Sequence, residues 1–393
     1  MQYTQLDGGR DLRIDFMRGA VMVVLVVVHI EIFSIFNFIA WERVGLISGA
    51  EGFVILSGVV LGIVHRKILD KADYHVSMMK LFDRSAQLYR VNLTVIAVVY
   101  FLSMLSIVDL SVIKTFINWG NKEVYNLYPN EGAAWHQTLT QFLLLRNGPH
   151  QIQILGLYFI LLAFTPLAMW FFKNGRPLWL LYISWVLYFY NMQHPSRPTM
   201  GQFEYGFPVL SWQVIFFNGL AVGYYKDEIR HYFSGNKYHA LVSVALVFTL
   251  VFAFIAWNSP NKAFPEWANF GLIEAKAYHD MHWQFFDKNK LGILRIVNYF
   301  CFLVVFYRAL TLFWKPLNRL IGWLLVPLGQ ASLYVFIVHL GFIVLVEYIS
   351  KFSEMQPVFD TSNFIENSII HTVCILGLWL LVRYKVLFSV IPR

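Results

Sequence analysis

Long apolar runs separated by shorter polar stretches dominate the chain. Ten runs cover roughly 17–37, 49–64, 89–109, 151–172, 177–191, 212–225, 238–257, 292–313, 321–349 and 368–388. Runs of this length predict membrane-spanning helices. Several fall short of the roughly 20 residues that a straight crossing needs. Short or broken helices are tolerated where they line a cavity inside a bundle. The pattern therefore predicts an all-α polytopic membrane protein, with about ten transmembrane helices around a central cavity. No internal repeat, low-complexity tract or separate soluble domain is visible, so residues 1–393 read as a single membrane domain.

Composition supports the class. The 393 residues are 58% hydrophobic and only 14% charged, against roughly 25% charged in soluble proteins. The net charge of +8 does not call for nucleic acid. With both termini in the cytoplasm, the inner segments and span ends hold 20 of the 31 Lys and Arg, and the longer outer loops hold 11. That asymmetry supports the orientation. Arg10, Arg13 and Arg18 precede the first run as in a signal peptide, but no small-residue cleavage site follows. The first run reads as an uncleaved span. Cys301 and Cys374 each lie inside an apolar run and read as free thiols.

Three polar segments interrupt the runs. Segment 65–90 is basic and cytoplasmic, with Arg66, Lys67, Lys71, Lys80, Arg84 and Arg90. Segments 110–150 and 258–291 are external and rich in aromatic residues. Long loops in a compact protein commonly carry function.

The chemistry begins in the first run. Arg18 and His29 are eleven residues apart, close to three helical turns, so they share a face. The rise puts His29 roughly 16 Å above Arg18, about half the hydrocarbon thickness. A titratable group at that depth reads either as a functional site or as a histidine bonded to a neighbouring helix. Glu51, at the outer end of the second run, could hold that histidine in one tautomer, or be a solvated residue. Glu31, two residues from His29, projects from nearly the opposite side. Arg18 could stabilise developing charge, or pair with Asp15 on the same helix. Gly58 and Gly62 form a small-xxx-small packing face. His339 and His371 lie mid-run without an Arg at matching spacing and read as structural.

Of the inner basic residues, Arg84 and Arg90 lie closest to the third run. They are candidates for the phosphates of a donor, beside a plain role as topology signals. In the outer loops Trp135, His150, His282 and Trp283 are candidate contacts for a sugar acceptor, beside an aromatic belt at the membrane interface. The 192–211 loop with His194, Arg197 and Glu204 is the fallback. His282 and Asp287 show an H-x4-D spacing, a pattern short enough to arise by chance. No phosphate loop, GxGxxG, CxxC or HExxH set is present, so no metal site is expected.

RDLRIDFMRG (10–19) followed by His29, AEGFVILSG (50–58), ILGLYFILL (154–162) and GQASLYVFIVH (329–339) resemble the OpgC family, related to the acyltransferase-three superfamily. The resemblance runs over nearly the whole chain. It implies a ten-helix enzyme of the bacterial inner membrane. Such an enzyme moves an acyl group, succinyl in OpgC proteins, from cytoplasmic acyl-CoA to an osmoregulated periplasmic glucan. It also implies that Arg18 and His29 match the superfamily's catalytic pair, and that Phe53 to Gly58 match its FFxxSG-like element. Val54 departs from that element, and Arg84 and Arg90 are six residues apart where a tight RxxR is expected. The co-substrate would be succinyl-CoA or acetyl-CoA, with no tightly bound cofactor. The partners would be the glycan acceptor and membrane lipids. His29 would act as general base on a sugar hydroxyl, directly or through an acyl-histidine. Two other classes fit the bare pattern: a transporter or flippase with buried ionisable groups, and a glycan-binding sensor or assembly protein of the envelope.

Overall fold

In lipid every backbone N–H and C=O must find a partner within the chain, and apolar runs meet that demand as helices. A computed structural model describes residues 3, 9–105, 107–118, 123–130, 132–352 and 363–393. Seven described helices are long and apolar enough to cross a membrane: Gly49–Leu69, Tyr74–Met104, His150–Lys173, Asn236–Ala256, Ile293–Leu312, Ser332–Ile349 and Phe364–Arg383. The other three expected runs are also helical: Leu12–His29, Pro177–Gln193 and Val209–Tyr224, of 18, 17 and 16 residues. At 1.5 Å per residue these reach about 24–27 Å, short of the roughly 30 Å hydrocarbon core.

Three boundaries differ from the sequence reading. The first run does not continue to residue 37: its helix starts at Leu12, capped by the Asp11 side chain on Arg13 N, and ends at His29. Glu31 beyond it has φ +50°, so a helical wheel does not apply to that residue. The run 321–349 divides into Trp323–Gln330 and Ser332–Phe352, with Pro327 inside the first and a break at Ala331. Segment 258–291 is ordered structure rather than open loop. It holds a helix at Ala275–Met281 and a π-helical turn at His282–Phe286. Its apolar side chains pack: Phe264 and Ala268 against Phe33, and Tyr278 and Phe286 against Leu46 and Phe252. One small antiparallel hairpin, Thr115–Asn118 with Glu123–Asn126, lies in segment 110–150.

The chain forms two compact units. One comprises Met1–Leu56, Asp227–Phe342 and Ile349–Arg393; the other comprises Ser57–Lys226 and Ile343–Tyr348. In the first unit, Leu12–His29 packs on Trp323–Gln330 through reciprocal glycines. A Cβ on Gly19 would meet the Leu325 carbonyl, and one on Gly329 the Asp15 carbonyl. Two backbones approach this closely only where side chains are absent. In the second unit Gly58 and Gly62 face the Phe216 and Leu220 carbonyls on Val209–Tyr224, and Gly223 answers against Val59. The small-xxx-small face is thus a packing face.

Candidate functional site

The helix that carries Arg18 and His29 is pinned at its start. Arg13 pairs with Asp11 at 2.7 Å, donates to Thr311 at 2.8 Å and lies between the Tyr3 and Tyr307 rings. Asp15, one expected partner of Arg18, takes Arg10 at 2.5 Å and the Gln330 amide at 3.3 Å. Arg18 donates to Ser332 Oγ, the first residue of the helix that follows the Ala331 break. The helix is continuous from Leu12 to His29. Arg18 and His29 therefore stay about 16 Å apart, too far to act on the same atoms.

His29 closes that helix and meets a second histidine. Its Nδ1 lies 2.9 Å from His339 Nε2, and His339 Nδ1 lies 2.7 Å from the Phe336 carbonyl. A carbonyl only accepts, so His339 carries its proton on Nδ1. The Nε2 of neutral His339 is then an acceptor, and His29 donates to it from Nδ1. This assignment follows from the network. It makes Nε2 the basic nitrogen of His29. The two rings stack with centroids 5.1 Å apart. His339 is 1% exposed, whereas His29 is only partly buried. Phe336 turns its edge to His29, and Phe53 of the AEGFVILSG segment stacks on Phe336 at 5.6 Å. His339, expected to be structural, is thus the partner that sets the tautomer of His29.

Glu51 was the expected holder of that tautomer; its charge instead serves a different cluster. Its carboxylate pairs with Arg295 Nε and accepts from Ser48 N at 3.0 Å and Ser48 Oγ. Arg295 spends its remaining donors on Glu42 at 2.6 Å and the Phe286 carbonyl at 3.0 Å. His282 Nε2 lies 3.4 Å from the other oxygen of Glu42. Arg295 and Glu51 are essentially unexposed, and an ion pair so buried is retained only when well bonded. Burial opposes the charge on Glu42, but Arg295 and then His282 outweigh it, holding the carboxyl down at about 2. Lys288 is pushed below its ordinary value by burial, against the opposing pull of Glu51. Glu42 itself has φ +54°, a sparsely populated backbone state for a non-glycine residue.

Sequence reasoning missed Arg295 and Glu42. The available signal was a lone arginine in the first turn of an apolar run, a costly placement without a carboxylate partner. The H-x4-D spacing does not form a pair: His282 takes Glu42, and Asp287 accepts from Lys290 N at 2.7 Å. Trp283 is exposed, with the Lys290 ammonium 4.0 Å from its ring centroid.

The remaining candidates belong to the second unit. Arg84 donates to Gln87 at 2.6 Å and Arg90 to the Ala86 carbonyl at 3.3 Å, both on Tyr74–Met104. Six residues of helical twist separate them by about 120°, so they form no common fork for one phosphate. Trp135 is 77% exposed at the start of the surface helix Trp135–Leu143. His150 packs edge-on to Phe116 at 5.3 Å.

Comparison with curated proteins and with solved structures gave no match. A family model described as OpgC protein matches residues 10–389. That interval takes in the Arg18 helix, the His29–His339 pair and the Glu51–Arg295–Glu42 cluster together, and by it the chain belongs to the OpgC family.

Proposed function

We propose that this chain is a membrane O-acyltransferase of the bacterial inner membrane, with both termini in the cytoplasm. It moves a succinyl group from acyl-CoA to a hydroxyl of a periplasmic glucan. The family name supports glucan acyl transfer, and the apolar helices support the membrane. The observation that carries the mechanism is the chain from the Phe336 carbonyl through His339 to His29.

In this reading Nε2 of His29 takes the proton of the sugar hydroxyl as its oxygen attacks the thioester carbonyl. The tetrahedral intermediate collapses, the C–S bond breaks, and the imidazolium returns the proton to the departing thiolate. The products are a sugar ester and free CoA. Buried His339 keeps the Nδ1 proton in place throughout, which is the role the orienting acid has in a catalytic triad. The carbonyl end of the Leu12–His29 helix favours the positive charge that develops on the ring.

Arg18 lies about 16 Å down the helix and acts on the donor rather than on the reacting carbon. Arg84 and Arg90 supply separate contacts to the CoA phosphates, since their directions differ. On the acceptor side, exposed Trp135 and Trp283 offer broad faces suited to sugar rings. The Glu51–Arg295–Glu42 cluster holds the frame beneath His282.

The test is steady-state transfer by purified protein with succinyl-CoA and a glucan. Replacing His29 with Ala lowers kcat by at least the ~10²-fold expected for a lost general base, with thermal unfolding unchanged. Near-parental turnover by that variant would overturn the mechanism.

A further inference from the structure

Three hydrogen bonds from one helix hold the turn that follows His29. Asn367 Nδ2 donates to the Phe33 carbonyl at 2.9 Å, His371 Nδ1 lies 2.7 Å from Ser34 Oγ, and Ser368 Oγ accepts from Ile35 N at 3.1 Å. Asn367, Ser368 and His371 stand at i, i+1 and i+4 on Phe364–Arg383, on one side of that helix. Their targets are three successive residues. The Phe364 ring tilts against Phe33, and Phe36 meets His371 edge to face, each at 6.0 Å. Within the turn, Ser34 N donates to Asn37 Oδ1 at 2.8 Å and Asn37 N to the Ser34 carbonyl at 3.1 Å.

His371 is the informative member of this clamp. It is fully buried, as is Ser34. The buried residues farther along its helix include Cys374, Ile375 and Leu378, and a leucine would suit position 371 as well. An imidazole inside a membrane span is costly unless its polarity is used. Proton transfer at His29 does not use it. The bond to Ser34, five residues past His29, does.

That place in the chain matters because His29 is the last residue of its helix. The final carbonyls of a helix lack intrahelical partners, and its end frays unless the chain beyond is tied down. Here the chain passes through Glu31 at φ +50° and is tied at residues 33–35. His29 Nδ1 meanwhile has to stay 2.9 Å from His339 Nε2, which belongs to another helix, Ser332–Phe352. Hydrogen bonds are lost beyond about 3.5 Å, so a slip of under about 1 Å at the end of the His29 helix breaks this one.

We infer that His371 is a positioning residue: with Asn367 and Ser368 it fixes the turn at 33–35, and through that turn it keeps the His29–His339 bond. The consequence for catalysis rests on the acyl-transfer reading; the consequence for the bond does not.

The experiment makes two measurements on full-length protein in lipid nanodiscs. One is nitrogen NMR of the imidazoles, with the His29 signals assigned by their loss in His29→Gln. The other is steady-state transfer from succinyl-CoA to a glucan. In the parent, His29 carries its proton on Nδ1. His371→Leu removes the bond to Ser34. The His29 signals then move to a mixture of tautomers, and kcat falls about tenfold, the scale of one buried hydrogen bond, with the KM for acyl-CoA unchanged. His371→Asn puts an amide where Nδ1 stood and restores both readouts. Ser34→Ala removes the same bond from the other side and serves if His371→Leu misfolds. His371→Leu combined with His339→Ala loses no more kcat than His339→Ala alone, because both act through one bond, whereas independent sites add. Parental His29 signals in both His371→Leu and Ser34→Ala, or additive losses in the double variant, would overturn the inference. Altered His29 signals in the variants of a protein that transfers no acyl group would sink the acyltransferase reading and leave the clamp standing.

Discussion

Replacing Glu51 with Ala separates a structural carboxylate from a catalytic one. Glu51 is 1% exposed and Arg295 is fully buried. The substitution removes the partner of Arg295 Nε and the acceptor of Ser48 N and Oγ. Breaking one side of a buried pair costs about 3–5 kcal/mol. Arg295 keeps Glu42 at 2.6 Å and the Phe286 carbonyl at 3.0 Å, which points to the low end, about 3 kcal/mol. The orphaned Ser48 N–H adds about 1 kcal/mol or more, so the loss comes to about 4 kcal/mol. Glu51→Gln keeps an acceptor for Ser48 while Glu42 still balances Arg295, so its loss is smaller. The assays are equilibrium unfolding in mixed micelles and kcat measured on the folded fraction. Both variants should keep kcat within a few-fold of the parent, with stability falling in the order parent, Gln, Ala. Parental stability of Glu51→Ala together with a kcat loss of ~10²-fold, the size of a general-base defect, would refute this reasoning. It would restore Glu51 as the residue that orients His29.

Other consequences follow from the same geometry. His339→Ala removes the acceptor of the His29 Nδ1 proton; kcat should fall about tenfold or more, the scale of one buried hydrogen bond, with the KM for acyl-CoA unchanged. His339→Gln restores an acceptor and should recover part of kcat; equal loss in both variants would count against tautomer control. The Glu42 carboxyl is held at about 2 against an ordinary 4.5, so its stabilisation is complete above pH 4.5 and fades as pH falls toward 2. Unfolding temperatures measured from pH 6 to 3 should drop in the parent, and drop less in Glu42→Gln, which lacks that titration. Gly19→Ala drives a methyl into the Leu325 carbonyl and should cost about 1–3 kcal/mol as an overpacked contact; unfolding of the purified variant checks it.

The helices were legible because period and length are local properties of the chain. Arg18 and His29 could be placed on one face for the same reason: they share one helix. The end of that helix at His29 was not legible, because Ile32, Phe33, Ile35 and Phe36 resume the apolar pattern after Glu31 and only the backbone shows the turn. The break at Ala331 was hidden in the same way inside 321–349. The His29–His339 bond joins positions 310 residues apart, and nothing in either local sequence encodes the meeting. Arg295 was visible as a charge in an apolar run, but its partners Glu42 and Glu51 come from segments more than 240 residues earlier. Segment 258–291 looked like loop because its apolar residues are spaced irregularly; they pack on Phe33, Leu46 and Phe252, which are distant in sequence.

On the proposed function, this chain transfers an acyl group across the membrane rather than moving a glycan through it. The most direct measurement uses proteoliposomes with labelled succinyl-CoA on one side and a glucan on the other, read by mass spectrometry of the glucan. Acyl transfer should give labelled succinyl esters on the glucan, free CoA released in equal amount, and neither product with His29→Ala. Glucan that crosses the bilayer unmodified while succinyl-CoA stays intact would rule out acyl transfer and establish a transporter.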